Sequence, residues 1–183
     1  AGFLFGVPWC LLASLAERDV SIGLSVTTLL ALWSDPPASI VDLRALAAPD
    51  LANAAPEAEA VARAHGRSAA ITGAAATGAA LRTAFAGFDA VHVAAHALIR
   101  LDNPMLSAMH LSDGPVTVYE LEREARVPAF LSLSACDLGR SERRNGNAAQ
   151  GLLPMLQARG NVITVAAVTE VADECAAVVM PAF

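Results

Sequence analysis

The amino-acid sequence predicts an α/β fold with a mostly parallel sheet that has helices on both of its faces. Short apolar segments alternate along the chain with segments of about ten residues that have helical character. The composition is 55% hydrophobic and the mean hydropathy is positive, which argues against a disordered chain. The 183 residues are enough for one domain with a single core, and the abundant alanine favours helices.

In the first half of the chain, short apolar or alternating runs bounded by turn residues predict strands. These runs cover residues 3–7, 19–26, 39–43, 69–72 and 88–95. Helices are predicted between them at residues 9–17, 27–33, 56–65 and 77–86. Pro56 stands at the start of the third helix and Gly66 follows its end, while Thr77 is a suitable cap for the fourth. Residues 46–55 are predicted to form a loop.

In the second half of the chain the same alternation continues. Strands are predicted at residues 108–111, 129–135 and 162–167, and helices at residues 118–125, 148–159 and 172–180. Loops are predicted at residues 97–107 and 139–147, and a turn at residues 112–115. Strands that alternate with helices indicate βαβ units, in which successive strands run parallel.

The chain is expected to be one domain over residues 1–183, with both ends cut from a longer polypeptide, since it starts on Ala1 and stops at Phe183. Residues 1–16 are nearly all apolar, but Pro8 interrupts them and no basic segment precedes them. The run is also short for a membrane span. We therefore interpret it as a buried strand and a short helix, and we expect no membrane partner.

Charge and cysteine content exclude two further classes of function. The formal net charge is −6, so the clustered positive charge that a phosphate backbone requires is lacking and nucleic acid is not expected as a partner. Cys10, Cys136 and Cys175 are odd in number and include no C-x-x-C spacing. Neither a disulfide framework nor a zinc knuckle fits this pattern, which favours a reducing compartment such as the cytoplasm.

Two of the predicted strands run directly into reactive side chains. The segment VHVAAH at residues 91–96 ends on His96, and AFLSLSAC at residues 129–136 ends on Cys136. In a parallel α/β sheet the carboxyl ends of the strands are where ligands and catalytic groups lie. A thiol and an imidazole at that edge make a nucleophile with its base, and backbone N–H groups after the nucleophile can stabilise an oxyanion. This pair indicates a cysteine peptidase.

The other histidines and cysteines have structural interpretations. His92 lies four residues before His96 on the same strand face, so zinc binding is conceivable, but the sequence offers no third ligand. We expect a core histidine with satisfied hydrogen bonds. The remaining assignments are a favourable helix-end cation for His65, a surface position at a strand end for His110, and apolar filler for Cys10 and Cys175.

The motifs around the two reactive residues resemble those of the CHAT domain, a caspase-like cysteine peptidase family of the caspase–separase–gingipain clan. VHVAAHA at residues 91–97 resembles the family's hydrophobic residue followed by His-x-x-x-His-Gly. NPMLS at residues 103–107 resembles its Asn-Pro-x-x-Ser step. LSACDLG at residues 133–139 resembles its Leu-Ser-Ala-Cys-x-x-Gly motif.

Further segments extend the resemblance over nearly the whole chain. VPWCLL at residues 7–12 resembles the family's Leu-Pro-Trp-x-x-Leu entry, and PEAEAV at residues 56–61 resembles its Glu-Ala-x-x-Val helix. QGLL at residues 150–153 and GNVI at residues 160–163 resemble its late helix and its Gly-Ala-x-x-Val strand. VADE at residues 171–174 resembles the acidic turn that follows.

The resemblance implies a caspase-like sheet and a cysteine endopeptidase that cleaves a polypeptide through a thioester acyl-enzyme. It assigns Cys136 as the nucleophile, His96 as the base, and the backbone N–H groups of Cys136 and Ala97 as the oxyanion hole. Related clan members that cut after basic residues place an acid near the S1 pocket, and Asp173 is the candidate here. No metal or cofactor is expected. CHAT domains are commonly attached to repeat or sensor modules such as TPR arrays, which implies an N-terminal regulatory module in the full chain.

Two alternative functions stay open. A catalytically inactive CHAT-like module that binds peptides or oligomerises is favoured by Ala97, where the family has glycine, and by Asp137, whose charge disfavours the thiolate of Cys136. Three basic residues follow that could offset this charge: Arg140, Arg143 and Arg144. The weaker alternative is an α/β domain that binds a small ligand and in which Cys136 is structural.

Overall fold

Short strands and helices alternate along the chain. A computed structural model describes residues 12–14, 25–34, 42–66, 69–100, 102–124, 126–134, 142–143, 149–161, 163–166 and 172–182. The strands are β1 (Leu43–Ala47), β2 (Ile71–Thr72), β3 (Ala90–Ala94), β4 (His96–Leu98), β5 (Ala108–Leu111), β6 (Gly114–Thr117), β7 (Phe130–Ser134), β8 (Glu142–Arg143), β9 (Ala149–Gln150) and β10 (Ile163–Ala166). The helices are α1 (Val26–Ser34), α2 (Ala54–Ala64), α3 (Gly78–Gly87), α4 (Val118–Glu122), α5 (Leu152–Ala158) and α6 (Asp173–Val179).

Five parallel strands form the central sheet, in the order β10-β7-β3-β1-β2. The chain passes from β1 to β2 on one side and then returns across β1 to β3, β7 and β10 on the other. Strand β3 therefore lies at the centre, with Ala94 in register with Ala47 of β1 and with Ser134 of β7. The sequence-based prediction of an α/β fold with a mostly parallel sheet is confirmed, and the arrangement is consistent with a caspase-like fold.

An antiparallel sheet is inserted between β3 and β7. Strand β4 follows β3 after a single residue and pairs with β5, which pairs in turn with β6. Helix α4 then leads the chain back toward β7. Two shorter strands, β8 and β9, pair antiparallel in the segment after β7.

The two faces of the central sheet have different cores. On one face, bulky side chains of β3 and β7 such as Val93 and Leu133 pack with Leu81 and Phe85 of α3 and with Leu156 of α5. On the opposite face, the buried residues of the sheet and of α2 are mostly alanine. Small side chains allow α2 to approach this face closely, and α6 continues into a 3₁₀ turn whose Met180 packs there as well.

Several predicted boundaries are wrong. The strand predicted at residues 39–43 corresponds to β1 at Leu43–Ala47, which extends into the predicted loop at residues 46–55. Its alanines and single arginine do not favour a strand locally, and β1 forms because the tertiary structure buries it. Strand β4 occupies the start of the predicted loop at residues 97–107, and β6 covers much of the predicted turn at 112–115. Predicted elements at residues 3–7 and 9–17 lie largely outside the described residues.

The helices fit the predictions more closely. Thr77 caps α3 as expected, with its Oγ1 accepting from the N–H of Ala80 at 3.1 Å. The last-but-one helix starts at Leu152, and Pro154 is tolerated because it lies in the first turn, where backbone N–H groups have no partner within the helix. Among the helices that the structure describes, none is both long enough and apolar enough to cross a membrane.

Candidate active site

The two strands that precede the predicted dyad lie side by side and parallel. At their carboxyl ends the N–H of Ala95 donates a hydrogen bond of 3.1 Å to the carbonyl of Ser134. His96 is the next residue after Ala95, and Cys136 is two residues after Ser134. Cys136 itself lies outside the described residues, but two peptide units span at most about 7 Å. The topology therefore brings together, at one edge of the sheet, the ends of the two strands that His96 and Cys136 follow in the sequence.

His96 begins β4 and is exposed. Its partner in the antiparallel pairing is His110 of β5, so both side chains stand on the same face of the small sheet. His110 lies within the strand and is half-buried, which corrects the predicted surface position at a strand end. Ala97 pairs with Met109 and has the extended backbone of a strand, which alanine adopts without strain.

The segment that joins β4 to β5 is held by its own hydrogen bonds. Ser107 is buried; its Oγ accepts from the N–H of Arg100 at 3.0 Å and its carbonyl accepts from the N–H of Val118 at 2.9 Å. Pro104 begins the 3₁₀ turn between them. The guanidinium of Arg100 binds both oxygens of Asp102 and lowers the pKa of Asp102 to about 2. These contacts explain the Asn-Pro-x-x-Ser pattern: its proline begins the turn between β4 and β5, and its serine stabilises the turn with hydrogen bonds.

A network of polar side chains is buried directly beneath this edge, between α2 and the sheet. Glu57 of α2 is 1% exposed and His92 of β3 is 0% exposed. The Oε1 of Glu57 lies 3.1 Å from the Nε2 of His92, whose Nδ1 lies 3.1 Å from the Oγ of Ser132. The hydroxyl of Ser134 donates to the Oε2 of Glu57 at 3.1 Å. One carboxylate thus joins α2 to both β3 and β7.

The Glu57–His92 contact is close but poorly aligned. The two facing atoms have no hydrogen-bond partner of acceptable geometry among the described residues, so the contact is a close approach of a carboxyl oxygen to a ring nitrogen and not a linear hydrogen bond. Ser132 also approaches the Sδ of Met180 at 3.6 Å. His92 is buried, as predicted for a core histidine, and its Nδ1 has Ser132 as a partner. The prediction of satisfied hydrogen bonds is wrong at Nε2, which has no such partner among the described residues. In the part of the chain that the structure describes, no three or more His, Cys, Asp or Glu side chains form a group that could hold a metal ion.

Sequence reasoning missed the role of Glu57. Glu57 follows Pro56 in the first turn of α2, a position that by itself indicates only the start of a helix. The available signal was a polar stripe at every second position of otherwise apolar strands, formed by Ser132 and Ser134 in β7 and His92 in β3. A period of two places these side chains on one face, where they need a buried polar partner.

The other candidate residues that the structure describes lie on α6, β8 and the end of α2. Asp173 begins α6, and Arg143 belongs to β8. Cys175 of α6 is a free and exposed cysteine, so the prediction of apolar filler is wrong: it lies on the outer side of the helix. His65 is the exposed C-cap residue of α2, the predicted helix-end position. The other residues named from the sequence lie outside the described residues: Cys10, Asp137, Arg140 and Arg144.

The family model of the CHAT domain matches residues 12–183. The chain belongs to the CHAT domain family. No curated protein matches the sequence. Membership confirms the resemblance carried by the His96 and Cys136 motifs and relates this CHAT domain to caspase-like cysteine peptidases.

Proposed function

We propose that this CHAT domain is a cysteine endopeptidase in which Cys136 is the nucleophile and His96 is the base. The observation that carries the proposal is the parallel pairing of β3 with β7. Their carboxyl ends are tied by the Ala95–Ser134 hydrogen bond, one residue before His96 and two before Cys136. The exposure of His96 supports it further, because a base must reach both the thiol and the substrate.

In the proposed reaction, His96 takes the thiol proton of Cys136 and the thiolate attacks the scissile carbonyl. The backbone N–H groups of Cys136 and Ala97 stabilise the oxyanion. Protonated His96 then gives its proton to the leaving amine as the C–N bond breaks, which leaves a thioester on Cys136. Water, deprotonated by His96, hydrolyses the thioester and restores the thiol. No metal or cofactor takes part in these steps.

The proposed substrate is a polypeptide, cleaved in the cytoplasm under the control of a regulatory or repeat module elsewhere in the full-length protein. Control fits the chemistry, because an ungated peptidase would damage its own compartment. Asp173, at the start of α6, is proposed to favour a basic residue at the P1 position. This assignment depends on the clan resemblance and on the acidic segment to which Asp173 belongs.

The dyad can be tested by measuring how fast iodoacetamide alkylates Cys136 from about pH 5 to about pH 9, with mass spectrometry to resolve each cysteine. We expect fast alkylation below pH 7.5 in the native protein, about tenfold slower in His96→Ala at pH 7. Exposed Cys175 is an internal reference within the same molecule. His65→Ala is the matched control, since it removes an exposed histidine from the end of α2.

Two results would contradict the proposal. One is slow alkylation of Cys136 that titrates above about pH 8 and does not depend on His96, as an ordinary thiol does. The other is equal slowing in His96→Ala and His65→Ala, which would indicate a general effect of losing a histidine. Either result favours the inactive peptide-binding or oligomerisation module.

The P1 assignment has its own test. Asp173→Asn should lower cleavage after arginine or lysine by about tenfold or more in a peptide library, because an uncharged amide attracts a basic side chain less. Cleavage after uncharged residues should stay the same. Glu174→Gln, a neighbouring and exposed carboxylate, is the control. An unchanged preference in Asp173→Asn would exclude this residue from the S1 pocket.

A further inference from the structure

We propose that Glu57 is a positioning residue that holds the catalytic end of β7 through Ser134 and so sets the distance between His96 and Cys136. The inference rests on the proposed function of these two residues. Glu57 is a residue of α2 whose side chain contacts Ser134 and His92 in the described part of the chain. It acts through the buried network with Ser134 and His92.

Ser134 is where the network meets the backbone of the site. Its carbonyl accepts from the N–H of Ala95, and its hydroxyl donates to the carboxylate of Glu57. The first bond holds the backbone of Ala95, the residue before His96. The second holds the side chain of Ser134, two residues before Cys136. We therefore expect a shift of Ser134 to displace both segments of the proposed site, the one that leads to His96 and the one that leads to Cys136.

The burial of Glu57 and His92 favours a functional interpretation. Both side chains are removed from water, and their closest contact is imperfectly aligned. Apolar residues of similar size would fill the same space without this desolvation cost. The polar groups are found at the central strands, directly below the carboxyl ends that carry the dyad, and on the face where alanine lets α2 come close.

A second buried polar group at the opposite end of the sheet supplies a matched comparison. Asn161 is buried, donates from its Nδ2 to the carbonyls of Pro128 and Ala129, and accepts from the hydroxyl of Thr164 at 2.6 Å. These contacts lie at the amino ends of β7 and β10. Thr164→Val removes a hydroxyl there, as Ser134→Ala removes one at the catalytic end.

The test compares these two variants by the rate of Cys136 alkylation with iodoacetamide, measured well below the melting temperature of each. We expect Ser134→Ala to react about tenfold more slowly than the native protein, since small displacements of reacting groups carry large rate penalties. Thr164→Val should react at the native rate although its melting temperature falls by a similar amount. Ser134→Thr, which keeps the hydroxyl, should restore the rate.

Glu57→Met removes both acceptor oxygens with a side chain of similar length. We expect this variant to slow the alkylation of Cys136 as much as Ser134→Ala does. The double variant should be no slower than either single one, because both changes remove the same hydrogen bond between Glu57 and Ser134. If Glu57→Met does not fold, the Ser134 variants decide alone.

The outcomes separate the two proposals. If alkylation depends on His96 but Ser134→Ala reacts as fast as Thr164→Val, the positioning role is wrong and the proposed dyad stands. If alkylation of native Cys136 does not depend on His96, both are wrong. A slowing in Ser134→Ala that Ser134→Thr does not reverse also overturns the positioning role.

Discussion

At the scale of the residue, Gly78 shows how a single missing side chain allows two elements to pack. It is the first residue of α3, and its N–H donates to the Oδ1 of Asp113 at 2.8 Å. A Cβ at this position would lie 2.9 Å from the Cγ2 of Val116. Val116 is buried and β-branched, so it has little freedom to move away.

We expect Gly78→Ala to destabilise the protein by about 1 kcal/mol, because the overpacking penalty exceeds the higher helix propensity of alanine. Urea-induced unfolding measures the difference. Gly87→Ala, at the other end of α3, is the control, since a Cβ there would meet nothing. Equal stability of Gly78→Ala and the native protein would show that Val116 yields at no cost.

At the scale of the element, α4 illustrates a start that local sequence specifies completely. Thr117 and Glu120 form a capping box: the Oε2 of Glu120 accepts from the N–H of Thr117 at 2.7 Å, and the Oγ1 of Thr117 accepts from the N–H of Glu120 at 3.2 Å. The bond from the Thr117 N–H, with help from its hydroxyl, lowers the pKa of Glu120 from the ordinary value of 4.5.

The direction of this shift predicts a pH dependence. A carboxyl whose pKa is lowered in the folded state stabilises the fold above its ordinary pKa and loses that contribution as the pH falls through the lowered value. Glu120→Ala should cost less than about 1 kcal/mol near neutral pH, because water screens this exposed carboxylate, and the difference from the native protein should shrink steadily below pH 4.5. Thermal unfolding at several pH values tests this, with Glu122→Ala on the same helix as the control. A difference that stays constant with pH would contradict it.

Elements with such local signals were predictable from the sequence, and those that depend on tertiary packing were not. The cap at Thr77 and the apolar runs of β3 and β7 mark their elements directly. Strand β1 reads LRALA, which also suits a helix, and it becomes a strand because both of its neighbours and both faces of the sheet bury it. Strand β4 has only three residues and is specified by its pairing with β5.

The candidate site divides in the same way. The two strands that precede His96 and Cys136 could be identified from the sequence, since their apolar character and the polar residues that follow them are local features. The partnership of Glu57 with Ser134 joins residues far apart in the chain, and nothing near Glu57 distinguishes it from the exposed Glu59 of the same helix. Only the packing of α2 on the sheet decides which carboxylate turns inward.

At the scale of the whole molecule, the unequal faces of the sheet determine how closely the helices approach. Bulky residues separate α3 and α5 from one face, whereas small ones such as Ala58 of α2 and Ala94 of β3 bring α2 against the other. The reach of the Glu57 carboxylate to β7 depends on this short separation. The alanine-rich composition thus has a structural use beyond helix propensity.

Enlarging a side chain on the alanine-rich face should move α2 outward. We expect Ala58→Leu to cost about 1–3 kcal/mol through overpacking and, by our proposals, to slow the alkylation of Cys136 as the Glu57–Ser134 bond lengthens. Ala64→Leu places the same side chain at an exposed position of α2 and should change neither quantity. Thermal unfolding and iodoacetamide kinetics measure the two effects. A loss of stability with an unchanged alkylation rate would contradict the prediction, because it would show that the distance of α2 from the sheet does not affect the site.

The small antiparallel sheet inserted between β3 and β7 affects when, during synthesis and folding of the chain, the site can form. Strand β3 and His96 leave the ribosome well before β7, and β3 pairs with β7 only after the β4–β6 hairpin and α4 have been made. The pairing closes a long loop, which is a slow step in folding. A chain that stops before β7 therefore lacks Cys136, so by our proposal such a fragment carries only His96 of the dyad and has no peptidase activity.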